Sequence, residues 1–186
     1  MNALVATLAL ALAAPLAATQ APAARPLTDA QVRSAVHTYL GSIDTPISAA
    51  RWQALGPRAE TELLAVAAAD ALPSRRAKAI DGLTALGSSQ SQPLFSKLAA
   101  AEGEALSVRY AAIRGLGRLL PEPQLLPALE PLLEHSRDAR VRAYAGQQLT
   151  RRIPSSGCRV LRAQVAREAA ATRPQFDRAR EPCLGI

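Results

Sequence analysis

Aromatic side chains make up only 3% of the 186 residues: one Trp, three Tyr and two Phe. A core must therefore be built from Leu, Ala, Val and Ile. That suits close helix packing and disfavours a β-sandwich, whose strands draw on aromatic and β-branched residues. Histidine is almost as scarce, with His37 and His135 alone, and cysteine stops at Cys158 and Cys183. The cysteine spacing matches no zinc pattern and no histidine lies beside it. No Gly-x-Ser-x-Gly, His-x-x-x-His, Cys-x-x-Cys or phosphate-loop pattern occurs. Of the carboxylate pairs, Glu60/Glu62 falls near a helix start, where negative charge is favourable, and Glu102/Glu104 in an inter-helix turn open to water. The expectation is a protein without catalytic residues, metal or cofactor. Long polar and low-complexity runs are absent too, which leaves no disordered domain to expect.

Lysine is the next scarcity, outnumbered 20 to 2 by arginine. Residues 1–136 carry 11 basic and 11 acidic side chains, so the net +7 comes entirely from residues 137–186, where 11 Arg face Asp138, Glu168, Asp177 and Glu181. Base composition of a GC-rich genome accounts for arginine over lysine. The functional alternative is a basic end that attracts an acidic partner or an anionic surface.

A single apolar run, ALVATLALALAAPLAA at residues 3–18, breaks the mixed pattern. At about 1.5 Å per residue it spans roughly 24 Å, short of the hydrocarbon thickness of a bilayer. Ala21-Pro22-Ala23 follows as an A-x-A pattern, although no Lys or Arg precedes the run. Residues 1–23 are expected to be a secretory signal peptide, with an uncleaved anchor as the alternative. Export places the protein in the periplasm or outside the cell. There an even cysteine pair is a candidate disulfide, Cys158–Cys183, rather than two free thiols.

What is present in quantity is a repeat. DARVRAYAGQQL, from Asp138, echoes LSVRYAAIRGL, from Leu106, at an offset of 33 residues. The same step backwards carries Arg109, Ala112, Ile113, Gly115 and Leu116 onto Arg76, Ala79, Ile80, Gly82 and Leu83, identical at every position. A weaker copy, ARWQALG at 50–56, resembles the segment at 80–87. One helix per unit begins near Arg76, Val108 or Val141. Val108, Ala112, Leu116 and Leu119 form its apolar stripe. Second helices are expected at 60–71, 92–101 and 124–135, with turns at Pro73, 88–92 and 121–123. A single pair cannot bury its apolar face, whereas stacked pairs can, so the expected fold is an α-solenoid.

The segment 125–149, LLPALEPLLEHSRDARVRAYAGQQL, resembles a HEAT repeat in the short form of phycobilisome-lyase-type HEAT proteins. Asp138, Val141 and Arg142 occupy the family's Asp-x-x-Val-Arg turn. The resemblance implies that Asp138 and Arg142 tie neighbouring repeats together. It covers about residues 43–152, with Ala105 in place of the Asp in the middle unit and Arg75 in place of a Val in the first. Ankyrin repeats would need a Thr-Pro-Leu-His turn, which is missing. A tetratricopeptide reading of RWQALG would put Pro57 inside a helix, at a cost of about 3 kcal/mol. Trp52 is read instead as a core residue of a capping repeat.

The expected architecture is thus all-α: a short right-handed solenoid of HEAT-like pairs over residues 27–152, opened by a capping helix at 28–40 with Val32, Val36 and Leu40 inward. Residues 153–186 form a disulfide-clipped helical cap, with a break at 154–157, a helix from Cys158 and a stop at Pro174. His37 is expected on a helix surface. The resemblance also implies that the Val-Arg helices line the concave face, where Tyr110, Arg114, Arg118, Gln147 and Arg151 would point outward. Arg and Tyr are favoured interface anchors. The alternative is that these residues are only the wet side of amphipathic helices. The functional expectation is an exported, non-catalytic module that binds another protein, with an acidic partner as one form of that expectation. The alternatives are a chromophore-lyase-like component, by analogy with the fold, and a surface that binds envelope polyanions. Nucleic acid is disfavoured by the shortage of stacking aromatics.

Overall fold

A computed structural model describes residues 27–42 and 46–185; the expected signal peptide lies outside them. Among the described residues there are ten α-helices, three short 3-10 turns and no strand. The helices are α1 (Asp29–Gly41), α2 (Ala49–Ala54), α3 (Arg58–Ala69), α4 (Pro73–Leu86) and α5 (Gln92–Ala100). They continue as α6 (Leu106–Leu119), α7 (Glu122–His135), α8 (Ala139–Arg152), α9 (Pro154–Arg167) and α10 (Asp177–Arg180). The 3-10 turns are Ser89–Ser91, Arg173–Phe176 and Glu181–Cys183.

The pairs are α3/α4, α5/α6 and α7/α8, and their second members α4, α6 and α8 stack in that order. The 33-residue echo is the footprint of this stacking. Ala79, Ala112 and Ala145 are fully buried at one register position, as are Leu83, Leu116 and Leu149 at another, none above 1% exposed. Gly82 and Gly115 share a third, where the neighbouring aromatic comes in close. A Cβ on Gly115 would lie 2.5 Å from the Phe95 ring, so glycine is needed there for packing. Arg75 stands where Val108 and Val141 are buried in the later units. It reaches Asp70 at 3.1 Å and His37 at 2.8 Å instead, because its neighbour is the cap and not another pair.

At the N-terminal end Thr28 accepts from the Gln31 N–H while the Gln31 side chain accepts from the Thr28 N–H, a reciprocal cap on α1. Val32, Val36 and Leu40 are buried. Trp52 of α2 is 2% exposed and meets Tyr39 edge to face at 5.3 Å, closing this end of the core.

Three element boundaries depart from expectation. Helix α3 begins right after Pro57, which serves as its N-cap. Helix α7 begins at Glu122, inside the expected turn at 121–123, and runs, as expected, unbroken through Pro127 and Pro131. With Pro123 these lie four residues apart on the solvent side. The carbonyls they leave without a donor, those of Pro123 and Pro127, are therefore on the face that water reaches. At the other end, 154–157 is not a break but the first turn of α9, since proline is tolerated at a helix start, where its missing N–H has no partner in any case. That helix ends at Arg167, well before Pro174.

The chain after α9 folds back onto α8, with the Arg173–Phe176 turn and α10 both packed against it. Phe176 is fully buried and the Thr150 hydroxyl donates to the Ala179 carbonyl at 2.9 Å. Together α9 and this tail take the place of a further pair and cover the last repeat. Cys158 and Cys183 are bonded, with Cα atoms 5.6 Å apart, and clip the tail to α9.

Candidate functional site

The site grows from α4, α6 and α8, the stacked second helices. Their fourth residues are Arg76, Arg109 and Arg142, and each reaches back to the C-terminal end of the first helix in its own pair. Arg76 donates to the Ala67 carbonyl at 3.0 Å, Arg109 to Ala99 at 3.0 Å and Arg142 to Ser136 at 2.7 Å. A cation there satisfies carbonyls that the helix leaves open and meets the negative end of its dipole. The same guanidinium groups also reach forward. Arg76 pairs with Glu104 at 2.8 Å, Arg109 donates to the Ser136 hydroxyl at 2.9 Å and Arg142 grips Glu168 with two bonds of 2.6 Å. This row joins unit to unit. Asp138 caps α8 through the Arg140 N–H and pairs with the Arg140 side chain at 2.7 Å, so its direct bonds stay within its own turn.

These bonds set the charge states. Hydrogen bonds from Arg142 hold the Glu168 carboxyl down to about 2, with burial opposing and Gln164 and Thr172 assisting. Burial pushes Glu102 up, but Arg109, Ser136 and the Arg137 N–H outweigh it and the carboxyl lies below its ordinary range. Hydrogen bonding from Arg140 lowers Asp138 against its burial. All three acids are committed to the framework as anions.

Further along the same helices lies the face expected to bind. Asp81 and Arg114 occupy one register position on α4 and α6, and they pair at 2.6 Å. Burial lowers the Arg114 guanidinium, but Asp81 and a hydrogen bond with Tyr144 outweigh it and hold it above its usual value. Arg114 is thus a half-buried strut and not a free contact. Gln147, the next in that register, was expected to face outward and is only 8% exposed, because the tail after α9 covers α8 there. Arg118 and Arg151, again one register apart, are exposed and make no ion pair among the described residues. Tyr110 is half-buried with its ring 4.5 Å from that of Tyr144. Burial and the Asp138 charge raise the Tyr110 hydroxyl above its ordinary value.

Tyr110, Tyr144, Arg140 and Gln147 line one wall of a cleft of about 350 Å³, and Gln175 and Arg178 of the tail line the other. Tyr144 sits one residue off the register of Tyr110, and Arg178 comes from outside the repeat, so the period pointed to neither. The surface combines an aromatic pair with cationic donors and has no nucleophile–base pair. His37 bonds to Glu62 and Arg75 at the far cap, and His135 is exposed beside Glu134. Among the described residues no three His, Cys, Asp or Glu side chains gather into a metal-holding group. No helix among them is long and apolar enough to cross a membrane.

Paired helices stacked in register, joined by an arginine at the start of each second helix, define a helical repeat domain. Residues 60–150 match the family model described as HEAT repeats, and the chain carries a HEAT repeat domain over that segment. No curated protein and no solved structure matches the chain.

Proposed function

We propose that this is an exported, non-catalytic scaffold that holds another protein on the face of α6 and α8. HEAT repeats generally mediate protein binding. The observation that carries the reading is a set of exposed arginines, none ion-paired among the described residues: Arg178 in the cleft with the Tyr110–Tyr144 pair, and Arg118 and Arg151 about two turns further along α6 and α8. Charge of one sign beside aromatic surface favours a partner that offers carboxylates next to an apolar side chain. Two features support export: the apolar run at 3–18 and the Cys158–Cys183 bond, which persists best in an oxidising compartment. The disagreement with a lyase-like role is chemical, since the cleft presents donors but no convergent acid–base pair.

The test is affinity capture from the native envelope with the wild-type chain and with a double variant, Arg118→Glu/Arg151→Glu. Both positions are exposed, so the fold should survive. We expect a discrete protein to be retained by the wild type and to fall at least about tenfold with the variant. Equal retention by both chains would reject the face. Indiscriminate retention of polyanions, collapsing with salt, would replace the protein partner by a surface polymer.

A further inference from the structure

A second concavity lies away from the helix row, between α9 and the C-terminal tail. It encloses about 600 Å³, within the range of roughly 300–1,000 Å³ that small-molecule sites occupy. Its apolar lining is Leu161, Val165 and Ala166 of α9, with Cys183 and Leu184 from the tail. Leu184 is 78% exposed, an unusual position for a large apolar side chain. Arg162, Arg173 and Arg180 also line the cleft, and among the described residues no carboxylate does. Arg162 reaches the Cys183 carbonyl at 3.4 Å and so helps to hold the tail. Arg173 uses its Nε on the Glu168 carbonyl at 3.1 Å, which leaves its terminal nitrogens. Arg180 makes no ion pair among the described residues and is exposed.

An apolar trough that among the described residues is bordered by cations and by no acid is complementary to one kind of ligand: an apolar chain ending in an anion. A polyanion would need cations spread over a polar floor, and this floor is aliphatic. We propose that the cleft between α9 and the tail binds a small amphiphilic carboxylate, its chain along Val165, Ala166 and Leu184 above the buried Leu161 and its head group held by Arg173 and Arg180. Cys158–Cys183 clips the last turn of the tail, which carries Leu184, to α9 on one side of the trough. This site is independent of the protein-binding face, and either can fail without the other.

Dodecanoate is a suitable probe, titrated into the oxidised wild-type chain by calorimetry below its micellar concentration, with dodecanol and acetate in parallel. The expected result is saturable one-site binding of dodecanoate, roughly tenfold weaker binding of dodecanol and none of acetate. Arg180→Gln and Arg173→Gln should each weaken dodecanoate about five- to tenfold. Ala166 is exposed, so Ala166→Trp should fill the trough and abolish binding while the far-ultraviolet spectrum and melting curve stay unchanged. Non-saturable partitioning, equal affinity for the alcohol, or dodecanoate binding that Ala166→Trp leaves intact would each overturn the proposal. Tighter binding of a peptide with a C-terminal leucine carboxylate would overturn the choice of occupant.

Discussion

Glu168 illustrates what it takes to bury a carboxylate. It is 6% exposed and accepts from Arg142, from Gln164 at 2.7 Å and from Thr172 at 2.9 Å. Its folded value of about 2 lies below the ordinary 4.5, so the unfolded chain takes up a proton that the native chain refuses. The stabilisation is therefore fully present above about pH 5 and is lost as pH falls towards 2. It amounts to something on the order of 3 kcal/mol. Urea unfolding at about pH 6, 4 and 3 should show the wild type losing stability more steeply than Glu168→Gln. Because Glu102 and Asp138 are also held below their ordinary values, the difference between the two chains is the quantity to read. Parallel pH curves would show that Glu168 is not the acid that matters.

At the scale of the element, helix spacing depends on where glycine stands. Gly157 sits in the first turn of α9, where a Cβ would lie 2.6 Å from the backbone carbon and oxygen of Leu149. Backbone cannot swing aside as a side-chain tip can, so Gly157→Ala should cost about 1–3 kcal/mol of overpacking despite alanine's better helix propensity. Gly41, at the end of α1, has nothing within 4 Å of the same construction, and Gly41→Ala should be neutral or slightly stabilising. Chemical denaturation of the two variants side by side checks this, and similar midpoints would contradict the close approach of α9 to α8.

Over the whole molecule, stability is expected to be nearly one-dimensional, each unit leaning on its neighbours. The disulfide spans 25 residues and fixes the terminal cover. Reducing it should remove roughly 3–4 kcal/mol by the chain-entropy argument. The loss should start at the C-terminal end, because only α9 and the tail shield the outer side of α8. In hydrogen exchange, amides of α9 and α10 should lose protection first on reduction, while α4 and α6 keep theirs. A uniform loss across the helices would mean that the stack melts as one unit.

The helical class, the 33-residue period, the register of Ala79, Ala112 and Ala145 and the capping stripe at Val32, Val36 and Leu40 could all be read from the sequence. They are local regularities, and each repeats because the same packing problem recurs. The 33-step was equally visible in Arg76, Arg109 and Arg142, but not what they hold. Glu104, Ser136 and Glu168 stand at no common spacing from them, and only the stacked helices bring those groups within reach. The candidate face was legible in part. Arg118 and Arg151 are exposed as their spacing suggests, whereas Arg114 is taken by Asp81 and Gln147 is covered. Periodicity tells which way a side chain leaves its own helix. What lies across from it, whether water, an acid or a returning tail, depends on segments far off in the chain, and that was decided by the tertiary structure alone.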